Sequence, residues 1–584
     1  MSNVGFYHLP LVVGIFACIE EGREHLFAEG SYGEQRVSDQ GLPAGHRGSF
    51  WLSFIDLLIN TSREKLPTFI VLSLLVFPPL VNAETYYVAP NGSNSNTGTQ
   101  AQPFATLQRA HDIAVAGDTI YMRGGAYKIS SQQTLTRGGT SGNLIKVFAY
   151  PGEVPILDAA SIIAIDAWVI RMNGASWWRI KGLEIKNNPK GGGIAITSGS
   201  HNNIIENNNV HHNGALSAWA ATGISVFENA ANNLILNNDS HHNRDMDNGD
   251  ADGIGVSSNG TGNVLRGNRV WRNSDDGIDM WDGSPTLIDG NWAWENGYDD
   301  NLQLLGNGAG FKLGGQHAGK TSGGHTVKNN LAWKNRLSGF DDNDAQHPLI
   351  LYNNTAWDNT SGNYRFRTQS NTLRNNISFG SLGSVSGSDT FNSWTLGVTV
   401  SAADFSSVDD TIARGPRNAD GSLPASNFLR LVAGSDLIDR GVNIGTAYIG
   451  IAPDLGAYEY GGSVTASAPL PPPPPAPSSS CTQTPLTLSS AFSDGGFSYM
   501  VMATFGTAPD NLDNRTQSTL LLFENGVEIG PAHSRHSDVR DLGVGRFSHW
   551  SHTNGTGEAL RLSASNNSDP RTNGMSYTYC VPVP

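Results

Sequence analysis

The chain has 584 residues, enough for one large domain and smaller segments, and its formal net charge is −15. This acidity excludes nucleic acid as a partner, because binding a polyphosphate requires a basic face. Only 15% of the residues are charged and 68 are glycine. That composition excludes a helical bundle or a disordered chain and is typical of short strands joined by tight turns.

The N-terminal residues predict export. A basic start at Arg63, an apolar run and a small-residue cleavage site give residues 62–83 the layout of a secretory signal peptide. The run is too short and too interrupted by proline for a membrane span. Residues 1–61 lie ahead of this signal, and we expect translation to start downstream of them; the alternative is a cytoplasmic extension with a signal anchor. We expect the mature protein to be secreted, monomeric and not membrane-bound.

Mature sequence starts near Glu84 with a short strand at Tyr86-Tyr87-Val88. Residues 106–116 then predict an amphipathic helix. A helix at this place would cap the open end of a solenoid, which otherwise exposes strand edges and an apolar core.

A sequence repeat is the strongest structural signal in the chain. The pattern Asn-x-x-x-x-Asn recurs at Asn208/Asn213, Asn238/Asn243, Asn268/Asn273, Asn291/Asn296, Asn330/Asn335 and Asn354/Asn359. A spacing of about 23 residues with variable insertions is typical of one turn of a parallel β-helix. The aligned Asn side chains are expected to form a hydrogen-bonded ladder at one corner. We therefore predict an all-β fold, a right-handed parallel β-helix over residues 84–461.

A second landmark of each repeat is an alternating strand that follows a turn. Side chains alternate along a strand, so the first apolar residue points into the core and the next one points outward. Stacked turns lie about 4.8 Å apart. The outward residues therefore form one exposed column: Ala195, Ser225, Gly255, Asp279, Lys312, Asp341 and Arg365. The column becomes charged halfway along, and chemistry is expected there.

The C-terminal part separates into three pieces. Residues 423–460 are expected to close the β-helix, and 462–480 form a Pro- and Ser-rich linker. Residues 481–584 predict a small β domain, interpreted as a carbohydrate-binding module, with a secretion or surface-anchoring role as the alternative. Cys481 and Cys580 bracket this domain, and in an exported protein they are expected to form a disulfide rather than two free thiols.

Four aspartates converge within two neighbouring turns: Asp252, Asp275, Asp276 and Asp279. They would repel each other without a cation, and oxygen-only ligation by many carboxylates favours Ca²⁺ over octahedral Mg²⁺. The alternative is a set of solvated turn residues. The position of Asp279 within a strand, where Asp is disfavoured, favours the metal site.

Lys312 follows Asp279 in the outward column. Beside a calcium site it could accept the C5 proton of a uronate, while calcium on the adjacent carboxylate stabilises the developing enolate. A lysine base needs a lowered pKa, and a neighbouring divalent cation acts in that direction. The alternative is a surface lysine paired with Asp279.

Three motifs resemble those of the polysaccharide lyase family 9 pectate lyases over about residues 84–460. They are Asp252-Gly253, the run from Asn273 to Asp279, and the run from Gly308 to Gly315. The resemblance implies calcium bound by Asp252, Asp275, Asp276 and Asp279, with Lys312 as the Brønsted base. It also implies β-elimination in de-esterified homogalacturonan (polygalacturonate), an acidic polysaccharide, giving 4,5-unsaturated oligogalacturonides.

Other outward residues have weaker interpretations. Arg365 and Arg367 are candidates for binding substrate carboxylates, with ordinary surface arginines as the alternative. The acidic run Asp341, Asp342 and Asp344 is interpreted as a solvated turn rather than a second calcium site. One aromatic column is interpreted as solenoid wall rather than a sugar platform or metal site: His211, His241, Trp271, Trp294, Trp333, Trp357 and Phe379.

Three other functions remain open at this point. The chain could be a lyase of the same family that acts on another acidic polysaccharide. It could be a polygalacturonase-like glycoside hydrolase in which Asp275 and Asp276 serve as acid and base. It could also be a non-catalytic β-helix adhesin.

Overall fold

The computed structural model describes residues 17–20, 23–26, 83–217, 221–368, 371–386, 388–462, 483–511, 517–524, 527–529, 534, 536–541, 546–551, 558–564, 569–572 and 575–581. The chain forms two units, residues 1–80 and 81–584. In the first, the described part is an antiparallel pair, Ala17–Glu20 with Arg23–Leu26. Among the described residues no helix has the length and apolarity to cross a membrane. The predicted signal peptide, nearly all of the linker and Cys481 lie outside the described residues.

Three long parallel sheets make up the larger domain, and strands that neighbour each other in a sheet come from successive turns of the chain. Sheet A contains Thr85–Val88, Thr119–Met122, Ile145–Ala149, Trp178–Lys181, Ile204–Glu206, Leu234–Leu236, Val264–Arg266, Leu287–Asp289, Thr326–Lys328, Ile350–Tyr352, Thr372–Arg374 and Ser388–Thr390. Sheet B contains Gly125–Lys128, Pro155–Asp158, Glu184–Lys186, Asn209–His211, Asp239–His241, Arg269–Trp271, Trp292–Trp294, Leu331–Trp333, Thr355–Trp357 and Ile377–Phe379. Sheet C contains Gln133–Leu135, Ile170–Asn173, Ile194–Thr197, Ile224–Glu228, Ile254–Ser258, Ile278–Asp279, Phe311–Lys312, Phe340–Asp341, Tyr364–Phe366 and Gly383–Val385. The parallel β-helix predicted from the repeat is confirmed.

The core follows from the alternation of side chains along each strand. In sheet C, Ile224 and Val226 are fully buried, whereas Ser225 between them is half-buried on the outer face. Farther along the same sheet, Phe311, Phe340 and Tyr364 stack inside the solenoid with ring centroids 4.7 and 5.2 Å apart. One apolar core thus runs along the axis of the β-helix.

Asparagine ladders hold the corners between the sheets. The two Asn of each repeat lie on either side of a sheet B strand and form two separate ladders, not the single corner ladder expected. Asn268 Nδ2 donates to Asn291 Oδ1 at 2.9 Å, and Asn273 Nδ2 donates to Asn296 Oδ1 at 3.0 Å. These Asn side chains are fully buried, so each ladder satisfies polar groups that water cannot reach.

The N-terminal cap is shorter than predicted. A helix, α1, spans Leu107–His111, and the Thr106 hydroxyl at its N-cap accepts a hydrogen bond from the Arg109 N–H. After the helix, Gly117 has a positive φ of 97° and Asp118 Oδ2 accepts a hydrogen bond from the Val115 N–H. The chain therefore turns into the next strand of sheet A.

The aromatic column of sheet B forms part of the wall, as predicted. Trp271, Trp294 and Trp333 stack with centroid distances of 4.7 and 4.9 Å. The segment expected to close the domain packs over this column, with Phe428 against Trp333 and Trp357. A single 3₁₀ turn within the described residues, Ala402–Asp404, leads into this segment. The segment thus covers a flank of the solenoid.

The C-terminal residues form a small β domain, as predicted. One antiparallel sheet contains Thr484–Pro485, Tyr577–Cys580, Leu521–Glu524 and Val527–Ile529, and a second contains Phe492–Gly495, Ser498–Met502, Glu558–Leu562 and Phe547–Ser551. A short helix, α2, spans His536–Asp541. Cys580 is disulfide-bonded, and the predicted partner Cys481 is outside the described residues.

Candidate active site

The outward column of sheet C has the predicted register. Asp279 pairs with Gly255 on one side and with Lys312 on the other, and Lys312 pairs in turn with Asp341. The expectation that the whole column is exposed is wrong. Ala195 and Asp341 are buried and Lys312 is 15% exposed. The side chains point away from the core, but they lie in a sheltered surface.

The carboxylate cluster (Asp252, Asp275, Asp276 and Asp279) lies at the start of this charged stretch. Single oxygens of Asp252, Asp276 and Asp279 all lie within 4.8 Å of one another. Asp275 is adjacent in the chain and buried, but it is outside that trio. The structure therefore brings three of the four predicted ligands to one point, with the fourth beside them.

Backbone amides fix one oxygen of each carboxylate in the cluster. Asp252 Oδ1 accepts from the Asp276 N–H at 3.1 Å, and Asp279 Oδ1 accepts from the Trp281 N–H at 3.0 Å. The loop before Lys312 supplies the other two donors, Asn307 N–H to Asp275 Oδ1 at 2.7 Å and Ala309 N–H to Asp276 Oδ1 at 2.6 Å. The carboxylates are thus held in place before any ion binds.

Gly306 allows this loop to approach so closely. A Cβ atom at this position would lie 1.7 Å from the Asn248 carbonyl oxygen and 2.5 Å from that of Ser274. Any side chain here would push the loop, and with it the Asn307 N–H, away from Asp275.

The carboxylates perturb one another strongly. Burial, followed by the charge of Asp276, raises the pKa of Asp275 to about 9. Burial also raises the pKa of Asp279 to about 6, even though Lys312 opposes the shift. Burial and the other three aspartates hold the pKa of Asp252 well above its usual range. The cluster therefore needs added positive charge to be fully ionised at neutral pH.

Lys312 provides part of that charge. Its Nζ lies 3.0 Å from Asp276 Oδ2 and 3.2 Å from Asp279 Oδ2, and 5.2 Å from the centre of the Trp281 ring. Burial lowers the pKa of Lys312, but Asp279, Asp276, Asp252 and Asp275 outweigh it and hold that pKa well above its usual range. The lowered pKa expected beside a bound cation is therefore reversed in the metal-free protein.

The donor set fits a hard divalent cation. Asp276 Oδ2 is buried and accepts no hydrogen bond in the described structure, although it faces Lys312. Its unused acceptor capacity is available to a cation. Carboxylate oxygens are the ligands that calcium prefers, so Asp252, Asp276 and Asp279, with Asp275 beside them, are suited to hold that ion.

The acidic run after Lys312 is neither a solvated turn nor a free metal site. Asp341 and Asp342 are buried. Arg365 Nη1 lies 3.2 Å from Asp341 Oδ2, and Arg367 Nη2 lies 3.4 Å from Asp341 Oδ1. Asp342 Oδ2 also accepts hydrogen bonds from the Arg367 and Thr368 N–H groups. The interpretation as a solvated turn is wrong for Asp341 and Asp342, which are buried and paired with the two arginines, whereas Asp344 is 66% exposed.

Both arginines remain accessible. The side chains of Arg365 and Arg367 are 37% and 34% exposed. Both lie two turns beyond Lys312 on the same face, so their outer N–H groups are available to a ligand that follows the column.

The sequence analysis missed a neighbouring group around Trp281. The buried Asp282 carboxylate accepts from His317 Nδ1 at 2.6 Å and from Lys320 Nζ at 3.2 Å, and Trp281 Nε1 lies 3.0 Å from His317 Nδ1. Trp281 follows Asp279 by two residues and must face the same side, which was the available signal. His317 and Lys320 belong to an inserted loop, and nothing in the repeat predicted their position.

Comparison with known proteins identifies the family. Residues 86–376 match a family model described as "Pel9A-like, right handed beta helix region". The chain is 35% identical over 395 residues to pectate lyase L of Dickeya chrysanthemi, covering 64% of this chain and 90% of that protein. The chain belongs to the family 9 pectate lyases. It is therefore a polysaccharide lyase on a right-handed parallel β-helix.

Two solved structures resemble this family 9 lyase over most of their own length. Pectate lyase Pel9A matches with a TM-score of 0.57 and 31% identity, over 64% of this chain and 96% of that chain. A rhamnogalacturonan lyase matches with a TM-score of 0.54 and 28% identity, over 60% of this chain and 97% of that chain. The shared part is the β-helix, which carries both the carboxylate cluster and Lys312.

Proposed function

We propose that this chain is a calcium-dependent pectate lyase that cleaves polygalacturonate by β-elimination, with Lys312 as the base. The observation that carries the proposal is the position of one amine against the carboxylate cluster, with Lys312 Nζ 3.0 Å from Asp276 and 3.2 Å from Asp279. The named relatives, which are pectate lyases, support the substrate class.

The reaction needs an acidified C5 proton and a base within reach. Calcium held by the cluster would act as a Lewis acid toward the substrate carboxylate and stabilise negative charge at C5. Lys312 Nζ, as the neutral amine, takes the C5 proton. The C–H electron pair forms the C4=C5 double bond, the bond from C4 to the glycosidic oxygen breaks, and that oxygen takes a proton as it leaves.

The charge balance of the cluster decides whether Lys312 can act as this base. Its two ion pairs keep the amine protonated in the metal-free protein. A base must be neutral, so the carboxylates that hold the proton on Lys312 have to be compensated by another cation first. Activity should therefore require the metal even where substrate can still bind.

Arg365 and Arg367 are the proposed contacts for substrate carboxylates farther along the column. Each guanidinium has five N–H donors, and the contacts to Asp341 and Asp342 leave part of each side chain exposed. A polyanion that follows sheet C from the carboxylate cluster would meet both charges on the same turn. Arginine suits this role because it binds carboxylates in a bidentate manner.

The test is product formation from polygalacturonate, followed by ultraviolet absorption of unsaturated uronide. We expect product in calcium, none in EGTA, and loss of turnover in Lys312→Ala with the fold preserved by circular dichroism. Lys328→Ala, a lysine on the strand Thr326–Lys328 of sheet A, is the matched control and should behave as wild type. Reducing ends without unsaturated product, or full activity in Lys312→Ala, would refute the mechanism.

A substrate panel separates the lyase chemistry from the substrate. Polygalacturonate, methylated pectin, rhamnogalacturonan and alginate are compared at equal concentration. We expect the highest kcat/KM on polygalacturonate. Unsaturated product from rhamnogalacturonan alone would show that the chain shares the substrate named for its second structural neighbour, and would refute only the substrate part of the proposal.

Secretion and glycan binding remain predictions. We propose that residues 62–83 are removed on export, so N-terminal sequencing of secreted protein should start near residue 84. We also propose that the C-terminal domain binds polysaccharide. A chain that ends at residue 462 should then keep its kcat on soluble polygalacturonate and lose retention on insoluble pectin.

A further inference from the structure

Two neighbouring turns of the β-helix each present a pair of histidines outside the candidate active site. In both turns a sheet B strand ends in His-His-Asn, at His211-His212 and at His241-His242. The second histidine of each pair has a positive φ, 55° and 53°, which turns its ring to the same side as the first. The Nδ1 atoms within each pair are consequently 2.6 Å apart.

The outer nitrogens of the second pair fix its protonation. His241 Nε2 lies 2.9 Å from Asn209 Oδ1, and His242 Nε2 lies 2.8 Å from Asp300 Oδ1. Carboxylate and amide oxygens only accept hydrogen bonds, so each Nε2 donates its proton to that oxygen. Both Nδ1 atoms then present lone pairs, and these face each other at 2.6 Å.

Two facing lone pairs at this distance repel unless a cation lies between them. Burial and the three neighbouring histidines hold the pKa of His241 well below its usual range, and the rings of the two pairs stack with centroids 4.8 and 5.0 Å apart, so a second proton on the His241 ring is disfavoured. Donation of the outer ring N–H to an oxygen is the arrangement that orients metal-ligating histidines. The two Nδ1 atoms are therefore placed to bind one metal ion together.

We propose that His241 and His242 bind a divalent transition-metal ion through their Nδ1 atoms. Nitrogen–metal distances of about 2.0–2.1 Å require the two atoms to separate to about 2.9 Å at a square-planar ion and to about 3.3 Å at a tetrahedral one. Imidazole nitrogens suit Zn²⁺, Ni²⁺ or Cu²⁺ rather than Ca²⁺. The His211–His212 pair, one turn away, supplies the nearest further nitrogens. The site is separate in residues and ligand chemistry from the carboxylate cluster.

The repeat explains why the pairs form, and why the sequence analysis interpreted His211 and His241 as solenoid wall rather than a metal site. The same two positions in later turns hold Trp271–Arg272, Trp294–Glu295 and Trp333–Lys334, so the turn brings together whichever two side chains it carries. Only the first position of each pair belongs to the aromatic column predicted from the sequence. The second position lies one residue later, and a histidine there gives each of these two turns a pair of adjacent imidazole rings.

The test is Ni²⁺ and Zn²⁺ titration by calorimetry of the full chain without a histidine tag, in excess Ca²⁺ to occupy the carboxylate cluster. We expect saturable binding and a loss of affinity of about 10- to 100-fold in Asp300→Ala, which removes only the outer oxygen. His241→Gln with His242→Gln should abolish it. His201→Gln, an exposed histidine on another turn, is the control and should bind as wild type.

A spectrum identifies the ligands directly. Electron paramagnetic resonance of the Cu²⁺ form should show nitrogen hyperfine splitting that disappears in the double variant. The proposal is overturned if the wild type shows no saturable binding of either ion, or if the double variant and Asp300→Ala bind as tightly as the wild type. Melting curves without metal establish that each variant folds, and Asp300→Ala changes a side chain that is 66% exposed.

Discussion

Replacement of Lys312 by alanine tests the charge balance of the carboxylate cluster independently of catalysis. The amine is 15% exposed and makes two ion pairs, at 3.0 and 3.2 Å. Its removal leaves four carboxylates without their counter-ion. Breaking a buried ion pair by removing one partner costs about 3–5 kcal/mol. A domain of about 380 residues has an unfolding entropy of about 0.8 kcal/mol per kelvin, so Tm in EGTA should fall by about 4–6 °C.

Calcium should restore the Tm that Lys312→Ala loses, so the rise in Tm on adding calcium should be larger in the variant than in the wild type. An ion that binds only the native state adds about 2.7 kcal/mol of stability at 100 times its Kd. Loss of the lysine charge increases the affinity of the cluster for a cation. Scanning calorimetry in EGTA and in calcium should therefore show a larger calcium-induced rise in Tm for Lys312→Ala than for the wild type.

Lys320→Ala is the matched control. This lysine pairs with Asp282 at 3.2 Å but is 49% exposed, and pairs of that kind contribute about 0–1 kcal/mol. Its Tm should stay within about 1 °C of the wild type in both conditions. Equal Tm values for Lys312→Ala and the wild type in EGTA, or a smaller calcium response in the variant, would contradict the role of Lys312 as internal counter-ion.

Four further variants test the ladders, the closing segment and the substrate contacts. Asn296→Ala removes a buried ladder member whose Nδ2 donates to Asn335 at 3.0 Å. Each buried polar group left without its partner costs about 1–3 kcal/mol, so calorimetry should show a Tm lower by a few degrees. Burial raises the pKa of Glu459 from 4.5 to about 7. The stability that the protonated carboxyl contributes is fully present below pH 4.5 and is lost as the pH rises through 7. Glu459→Gln should therefore flatten the fall in Tm between pH 5 and 8. Arg365→Ala and Arg367→Ala should each raise KM for polygalacturonate about tenfold with little change in kcat, and an unchanged KM would exclude them as substrate contacts.

The sequence predicted the fold because the repeat couples local pattern to global structure. Every turn repeats the alternation of buried and outward residues, so the register of Asp279 against Lys312 followed from the pattern alone. The insertions broke this relation. The loop that carries Asn307 and Ala309 has no period, so its donors to Asp275 and Asp276 could not be placed in advance.

The solvent exposure of the outward side chains was the property that the sequence predicted least well. An outward direction on a strand does not state what lies above it, and Asp341 is outward yet only 2% exposed. The same limit explains the acidic run, where Arg365 and Arg367 come from the next turn and pair with Asp341. Spacing predicts which residues are neighbours along a sheet but not which of them neutralise each other.

The position of Lys312 inside the carboxylate cluster connects stability with catalysis. Without a bound cation the amine is the internal counter-ion, and its two ion pairs offset the charge of carboxylates whose pKa values are raised by burial and by their mutual repulsion. Those same contacts keep Lys312 protonated and therefore inactive as a base. When another cation takes over the carboxylate charge, both constraints on the lysine relax together. In the proposed mechanism, a residue that stabilises the carboxylates without a cation is released for proton transfer when a cation binds, so one side chain would link metal binding to activity.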